Sequence, residues 1–242
     1  MIVSERFDQV TLLRIDRHAQ RNALNPEHTA ALLAELDGAV EAGCRCIVIT
    51  GNGSSFCAGA DLDVVRDEGF LDSLYALLHR LAQLPVPVIA AVNGPAIGAG
   101  TQLAIGCDLR VAAPSARFAI PTARLGLSVD AWTVRRLAAL AGGGAARAML
   151  IGVETLDVQR AHQLGLVDRL GELDDALAWA QEIAALAPLT LEYNKLALNT
   201  VADLTPDDDR VTKAMLACWN SADAAEGQQA RAQRRPPEFR GR

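Results

Sequence analysis

The sequence predicts an α/β fold in which short buried strands alternate with helices. Two observations carry this prediction. An apolar strand ends in small residues and enters a helix around Ser55–Asp61, and the same arrangement recurs over Val86–Gln102. From about Leu173 onward, apolar residues recur at helical spacing without further strands. We therefore divide the chain into a core over 1–187 and a helical segment over 188–242.

The predicted strands are short apolar runs rich in β-branched residues. They are Phe7–Asp16, Cys46–Thr50, Val86–Val92, Leu109–Ala113 and Phe118–Ile120. The predicted helices repeat apolar residues at helical spacing, and several start or stop at proline or glycine. They are Pro26–Ala42, Leu71–Leu84, the stretch from Gly98 to about Gly106, Ala131–Leu140, Leu173–Ala187, Pro188–Ala202 and Pro206–Ala217. No G-x-G-x-x-G turn follows the first strand, which argues against a dinucleotide-binding domain.

Composition excludes several other classes of function. Half of the 242 residues are hydrophobic and the net charge is −6, with no basic stripe, so nucleic acid is not an expected partner. The longest apolar stretch, near Val86–Val92, is too short to span a bilayer. With no targeting signal at the start, we expect a cytoplasmic protein. The five cysteines lack Cys-x-x-Cys spacing, so neither a disulfide framework nor a metal site is predicted.

The two strand-to-helix turns are the features most relevant to function. The first N–H groups of a helix have no partner inside the helix, so they point at whatever occupies the adjoining space. Side chains no larger than that of alanine let a ligand approach this backbone closely. Two such turns facing one pocket would polarise a thioester carbonyl and stabilise the oxyanion that develops from it.

At these residues the chain resembles the crotonase family, which contains the enoyl-CoA hydratases and isomerases. Four further segments match in the family's order, so that the resemblance covers nearly the whole chain: Arg21–Asn25, Cys44–Gly51, Cys107–Phe118 and Gly165–Asp168. The resemblance implies a spiral of repeated β-β-α units with a C-terminal helical segment for oligomerisation. It further implies that this segment caps the pocket and forms a homotrimer or a dimer of trimers.

The resemblance also assigns residues that bind a CoA thioester, with no other cofactor and no metal. It places the oxyanion hole at the N–H groups of Ala60 and Ala99; the alternative is that these alanines only allow tight packing. The residues expected to hold CoA are Arg21, Ala23, Leu24, Ala58, Asp61 and Arg234. For the two arginines the alternative is an ordinary solvated surface charge.

The departure from the family concerns its two catalytic glutamates. Hydratases of this family carry one glutamate after the glycine-rich loop and another after an F-x-x-P turn, where this chain has Gln102 and Thr122. Hydration of an enoyl thioester needs one group to take the water proton and one to protonate C2. Neither an amide nor a hydroxyl does this at neutral pH, so the chain resembles the subset that lacks both hydratase glutamates.

One carboxylate near this region has two interpretations. Asp130 falls where family members that use an aspartate have one, and there it serves as a base in isomerisation or as a nucleophile. Asp130 also precedes the predicted helix that starts at Ala131, where aspartate is a favoured N-cap. Trp132, which follows, either narrows the acyl pocket or belongs to the core.

Three hypotheses follow. The first is an acyl-CoA-binding protein of fatty-acid metabolism with little hydratase turnover. The second is an active enzyme of the same fold, either an enoyl-CoA isomerase with Asp130 as base or a weak hydratase that uses a water held by Gln102. The third is a structural subunit that binds no thioester, which the two retained turns disfavour.

Overall fold

The computed structural model describes residues 1–61, 63–64, 68–202, 216, 219–235 and 237. Its strands are β1 (Ile2–Phe7), β2 (Val10–Ile15), β3 (Cys46–Gly51), β4 (Val88–Val92), β5 (Pro95–Ile97), β6 (Leu109–Ala112), β7 (Arg117–Ala119), β8 (Leu156–Asp157) and β9 (Arg169–Leu170). They form a six-stranded sheet in the order β1-β2-β3-β4-β6-β9 and a three-stranded sheet in the order β5-β7-β8. In the larger sheet only β1 and β2 pair antiparallel.

Helices cover the larger sheet on both faces. Those in the described part of the chain are α1 (Pro26–Glu41), α2 (Glu68–Gln83), α3 (Ala99–Gly106), α4 (Ala131–Leu150), α5 (Val158–Gln163), α6 (Leu173–Ala184), α7 (Pro188–Ala202) and α8 (Ala222–Ala232). One face of the sheet packs against α6, and the other lies in the main core with α1, α2 and α3. Parallel strands buried on both faces are nearly continuous runs of apolar residues, as β3 and β4 are. This layered architecture confirms the predicted α/β class.

Three strands, β1, β5 and β8, were not predicted from the sequence. The strand predicted over Phe7–Asp16 is β2, and β1 forms a hairpin with it through Asp8, which has a left-handed conformation with φ of 57°. Aspartate tolerates this conformation better than most residues, so it closes a tight turn. The short strand β5 lies within the glycine-rich turn before α3, where no strand was predicted. It pairs with β7 and thereby fixes the start of α3.

Helices α5 and α8 were not predicted from the sequence, and the other helices of the described part agree with the prediction except at some of their ends. Helix α4 continues past Leu140 to Leu150, although Gly142 has a non-helical φ of 83° and kinks it. Glycine in such a run is expected to end a helix, and here it bends one. The segment Gly165–Asp168, which resembles a strand of the family, is not itself a strand here; β9 begins directly after it, at Arg169. The helix predicted over 206–217 falls on residues of which almost all lie outside the described part.

Polar side chains tie α7 to the core. Lys195 is 6% exposed, and its Nζ lies 2.7 Å from a carboxylate oxygen of Asp108 and donates to the carbonyl of Val86 at 2.9 Å. One turn later, the amide of Asn199 donates to the Ala82 carbonyl and accepts from Arg136. The start of the predicted C-terminal segment is therefore anchored to α2, α4 and the strand β4. The division of the chain at residue 187 stays a prediction.

Candidate functional site

The two turns predicted from the sequence lie side by side, but only the turn at Ala99 enters a helix directly. Ala60 lies in an isolated bridge, and α2 begins at Glu68, so the helix predicted after Ser55–Asp61 is wrong as to its start. A parallel bridge joins Cys57 to Ala96, in which the Ile97 N–H donates to the Cys57 carbonyl at 2.9 Å and the Cys57 N–H donates to the Pro95 carbonyl at 3.2 Å. A Cβ on Gly100 would lie 2.0 Å from the Cys57 carbonyl oxygen. Only glycine fits there, because the first turn of α3 rests directly on the backbone of the other loop.

This packing leaves two backbone donors without partners. Leu24 forms a parallel bridge to Ala60 by donating to the Gly59 carbonyl and accepting from the Asp61 N–H, so the N–H of Ala60 itself points away from Leu24. Ala99 is the first residue of α3, and its N–H has no partner inside the helix. Within the described part of the chain, neither N–H has a hydrogen-bond acceptor. Both alanines line the same cleft.

The cleft has an apolar wall and contains about 700 Å³ of empty space. Its apolar side chains come mainly from α2 and from the segment before α4: Phe70, Leu71, Leu74, Leu125, Leu127 and Val129. Its polar side chains are those of Tyr75, Gln102, Thr122, Ser128, Trp219 and Arg231. Among the described residues that line the cleft there is no carboxylate. Gln102 and Thr122, the residues at the positions of the family's glutamates, are thus brought together in one cleft with Ala60 and Ala99.

The orientation of the Gln102 amide is fixed by a neighbouring helix. Its Nε2 donates to Thr133 Oγ1 at 2.9 Å, and the Thr133 hydroxyl in turn donates to Asp130 Oδ1. Because the amide nitrogen is used in this way, the amide oxygen of Gln102 is the end that has no hydrogen-bond partner in the described structure. Gln102 therefore offers an acceptor to the cleft, but it has no proton that it can give or take as an acid or base at neutral pH.

Asp130 is the N-cap of α4, which is one of the two interpretations that the sequence left open for it. Its carboxylate accepts from the Thr133 N–H at 3.3 Å. Burial raises the pKa of Asp130, and the hydrogen bonds from Thr133 partly oppose this change. Asp130 and Trp132 are not among the described residues that line the cleft. Trp132 instead packs edge-on against His79, with ring centroids 5.7 Å apart.

The residues predicted to hold CoA, apart from Arg234, lie together beside the Ala60 turn. The Arg21 carbonyl accepts from the Ala58 N–H at 3.0 Å, and the Arg21 side chain is exposed. Arg17, which the sequence analysis missed, donates to the Ala23 carbonyl at 3.1 Å and pairs with Asp61 at 2.7 Å. The hydrogen bond from Arg17 is the main reason that the pKa of Asp61 is lowered. Asp61 therefore helps to fix this loop through an ion pair.

Helix α8 closes the other side of the cleft. A Cβ on Gly227 would lie 2.4 Å from the Leu125 carbonyl oxygen, so α8 packs directly on the turn Thr122–Leu125. Arg231 of this helix lines the cleft, whereas the predicted Arg234 is exposed one turn further on and is not part of the lining. Arg234 follows the end of α8 in a left-handed conformation with φ of 54°, so it does not continue the helix face that carries Arg231. The sequence analysis named Arg234 and missed Arg231.

The thiol of the cysteine nearest the turns is unreactive at neutral pH. Cys57 is fully buried, and burial raises the pKa of its thiol to about 12. A thiol with such a pKa is not a nucleophile at neutral pH. The other described cysteines, Cys44, Cys46 and Cys107, are also buried and free, while Cys218 lies outside the described residues.

Comparison with known proteins decides the family. Residues 5–242 match the family model described as "Enoyl-CoA hydratase/isomerase". The chain belongs to this family. It is 43% identical over 250 residues to the "Probable enoyl-CoA hydratase echA6" of Mycobacterium tuberculosis, with all of both chains covered. It is 35% identical to the 2,3-dehydroadipyl-CoA hydratase of Escherichia coli, covering 100% of this chain and 99% of that one.

A solved structure agrees with the enoyl-CoA hydratase/isomerase fold. The enoyl-CoA hydratase/isomerase from Pseudoalteromonas atlantica superposes with a TM-score of 0.86 at 31% identity and covers 99% of each chain. The crotonase family and the crotonase-like fold predicted from the sequence are thereby confirmed. None of the helices in the described part of this family member is long and apolar enough to cross a membrane.

Proposed function

We propose that the protein binds acyl-CoA thioesters in fatty-acid metabolism and turns over enoyl-CoA by hydration only very slowly. One observation carries the proposal: the unpaired N–H groups of Ala60 and Ala99 open onto a cleft whose described lining holds no carboxylate. The binding half of the family's chemistry rests on backbone donors that this chain keeps. The proton-transfer half rests on side chains that it lacks.

The cleft suits each part of an acyl-CoA. The thioester oxygen accepts from the two backbone N–H groups, and the apolar residues of α2 cover the acyl chain. Arg231 is the charged side chain of the described lining, and it has no carboxylate within ion-pair distance among the described residues, so it is available to a phosphate. Arg21 and Arg234 are exposed and are further candidates for CoA phosphates. Local arginines are needed because the protein as a whole carries a net charge of −6.

Slow hydration follows from the two replaced glutamates. Gln102 can hold a water through its amide oxygen, but it cannot remove the proton from that water. Thr122 is not an acid at neutral pH. Loss of a positioned acid or base typically lowers a rate about 10²–10⁴-fold. A protein without both groups is therefore expected to hydrate enoyl-CoA slower by several orders of magnitude than a family member that has both.

Calorimetric titration with acyl-CoAs of increasing chain length, beside a hydratase assay with a short trans-2-enoyl-CoA, tests the proposal. We expect saturable binding together with a hydration rate several orders of magnitude below that of a two-glutamate hydratase measured in parallel. Hydration within about tenfold of that enzyme would overturn the proposed lack of turnover. Absence of binding to every acyl-CoA would overturn the binding function itself.

A second candidate function is acyl-CoA isomerisation with Asp130 as base. It is favoured by the raised pKa of this buried carboxyl and by its connection to Gln102 through Thr133. The test is exchange of solvent deuterium into C2 or C4 of a 3-enoyl-CoA, catalysed by wild type and by Asp130→Asn. Asparagine caps a helix about as well as aspartate, so the variant keeps its fold. An isomerase would exchange and would lose this activity in the variant; a binding protein would not exchange at all.

The proposal includes a homotrimer or a dimer of trimers in the cytoplasm. Helix α7 supports an interface because it exposes large apolar side chains: Leu189 is 78% exposed and Tyr193 is 67% exposed. Such side chains clustered on one segment are typical of a surface that another subunit covers. Sedimentation velocity of the wild-type protein distinguishes the two assemblies from a monomer.

A further inference from the structure

Trp219 presents an unpaired donor at the cleft. Its indole Nε1 is buried, and it has no hydrogen-bond partner in the described part of the chain. Trp219 lines the same cleft as the two oxyanion turns. Buried indole N–H groups normally find a partner, and one that is left unpaired lowers the stability of the protein. An orphaned donor at a ligand cleft therefore indicates that the ligand provides the acceptor.

The position of Trp219 narrows the choice of acceptor. Trp219 packs in a small cluster with Ala60, Leu125 and Leu127, and with Ala224 of α8. Ala60, one of the two residues that would hold the thioester oxygen, packs against the same buried pair, Leu127 and Ala224. Placing a charged phosphate between apolar side chains is costly, and the exposed guanidinium of Arg231 suits a phosphate better. A neutral carbonyl is the acceptor that matches a buried indole N–H.

We propose that the indole N–H of Trp219 donates a hydrogen bond to the CoA-arm amide carbonyl that lies nearest the sulfur. This assignment rests on the proposed acyl-CoA-binding function. The thioester oxygen is already taken by Ala60 and Ala99, and this amide is the next carbonyl along the arm. Trp219 is then a residue that distinguishes thioesters of CoA, or of any carrier with the same arm, from simple thioesters.

Indole resonances of the ¹⁵N-labelled protein give the first test. The chain has three tryptophans, and Trp219→Phe assigns the signal of Trp219 by removing it. On saturation with hexanoyl-CoA, the Trp219 indole proton is expected to move downfield, as a proton does on entering a hydrogen bond. Trp179, whose ring is covered by Arg169 at 3.8 Å and is not part of the cleft lining, is the internal control. A Trp219 signal that stays in place at saturation would overturn the assignment.

Affinities of three hexanoyl thioesters give the second test. Trp219→Phe keeps an aromatic ring but removes the donor, and we expect it to weaken binding of hexanoyl-CoA about three- to tenfold. The same loss is expected for the N-acetylcysteamine thioester, which keeps the amide nearest the sulfur. No loss is expected for the 2-hydroxyethyl thioester, which has no amide. Trp179→Phe is the matched control and should leave all three affinities unchanged.

The outcomes separate this inference from the proposed function. Equal losses for all three thioesters would mean that the ring only packs, and no loss for any would mean that the N–H is not used; either result overturns the role of Trp219 while acyl-CoA binding stands. Failure of wild type to bind hexanoyl-CoA would overturn both proposals together.

Discussion

The two sides of the cleft differ in what their chemistry depends on. On one side, Ala60 and Ala99 offer backbone N–H groups, which any residue except proline would supply. What this side needs is the close approach of two turns, and Gly100 against the Cys57 carbonyl provides it. On the other side, Gln102 and Thr122 occupy positions where the reaction depends on the identity of the side chain.

This difference explains how binding can be kept while proton transfer is lost. The backbone donors are held by β5, by α3 and by the bridge from Leu24 to Ala60, so a change of side chain at Ala60 or Ala99 does not by itself remove them. A glutamate, in contrast, is removed by one substitution that leaves the fold intact. The Gln102 side chain is even integrated into a new hydrogen-bond chain with Thr133 and Asp130.

The largest effect is expected when glutamates are placed at positions 102 and 122, on the second side of the cleft. Gln102→Glu combined with Thr122→Glu should raise the hydration rate of a short trans-2-enoyl-CoA by several decades, because each acid or base group contributes about 10²–10⁴-fold. Burial at position 102 should also raise the pKa of the new carboxyl toward neutrality, as the reaction needs. The matched control, Gln102→Met with Thr122→Val, adds no carboxyl and should give no increase. A double glutamate variant that binds acyl-CoA but gains nothing would mean that the oxyanion hole is not in a productive position.

The arrangement of the two turns on the first side of the cleft is expected to be lost when their packing is disturbed. Gly100→Ala puts a methyl group 2.0 Å from a backbone oxygen, and overpacking of this kind lowers the free energy of unfolding by about 1–3 kcal/mol or more. It should also abolish acyl-CoA binding by separating the two turns. The control is Gly38→Ala in α1, where the added Cβ meets nothing within 4 Å and a gain of about 0.4–1 kcal/mol is expected. Urea unfolding and calorimetric titration measure both; equal stability of the two variants would contradict the packing argument.

The smallest effect is expected in the pH dependence of stability that Asp61 and Asp130 cause. The pKa of Asp61 is lowered by Arg17, so its stabilisation is present above the ordinary aspartate pKa and is lost as pH falls through the lowered folded value. The pKa of Asp130 is raised by burial, so its relative stabilisation is present at low pH and is lost as pH rises through the raised folded value. Over the acid range, the stability of wild type relative to the Asp61→Asn variant should thus increase with pH. The stability of wild type relative to the Asp130→Asn variant should decrease with pH.

The difference in stability between wild type and Asp61→Asn is expected to be about 1 kcal/mol or less, because the ion pair of Asp61 is partly exposed. Urea unfolding at several pH values between 3 and 7 measures both differences with one protocol. Slopes of the same sign for the two asparagine variants would contradict the environments assigned to these carboxyls.

The sequence could predict the parts of the site that depend on local pattern. The turns at Ala60 and Ala99 are visible because small residues follow apolar runs, and the cap at Asp130 is visible because it precedes a helix. The partners of these residues were not predictable in the same way. Arg17 reaches Asp61 across 44 positions of sequence, and Trp219 reaches the cleft from the C-terminal part of the chain. Such contacts depend on tertiary packing, which local propensity does not encode.

The same reason explains the errors in the fold. The strand β5 has only three residues and includes Pro95, so its pattern is too short to favour a strand, and only its pairing with β7 makes it one. In α4, the glycines at 142–144 indicate an end, but packing of the residues beyond them continues the helix to Leu150. Both cases are local signals overridden by the core.

A crystal structure with a saturated acyl-CoA bound tests the central claim most directly. The quantity to measure is the distance from the thioester oxygen to the backbone nitrogens of Ala60 and Ala99. We expect both distances to be about 2.7–3.2 Å, the range of N–H···O hydrogen bonds, with the acyl chain against α2. A thioester oxygen more than about 4 Å from both nitrogens, beyond hydrogen-bond reach, would contradict the account.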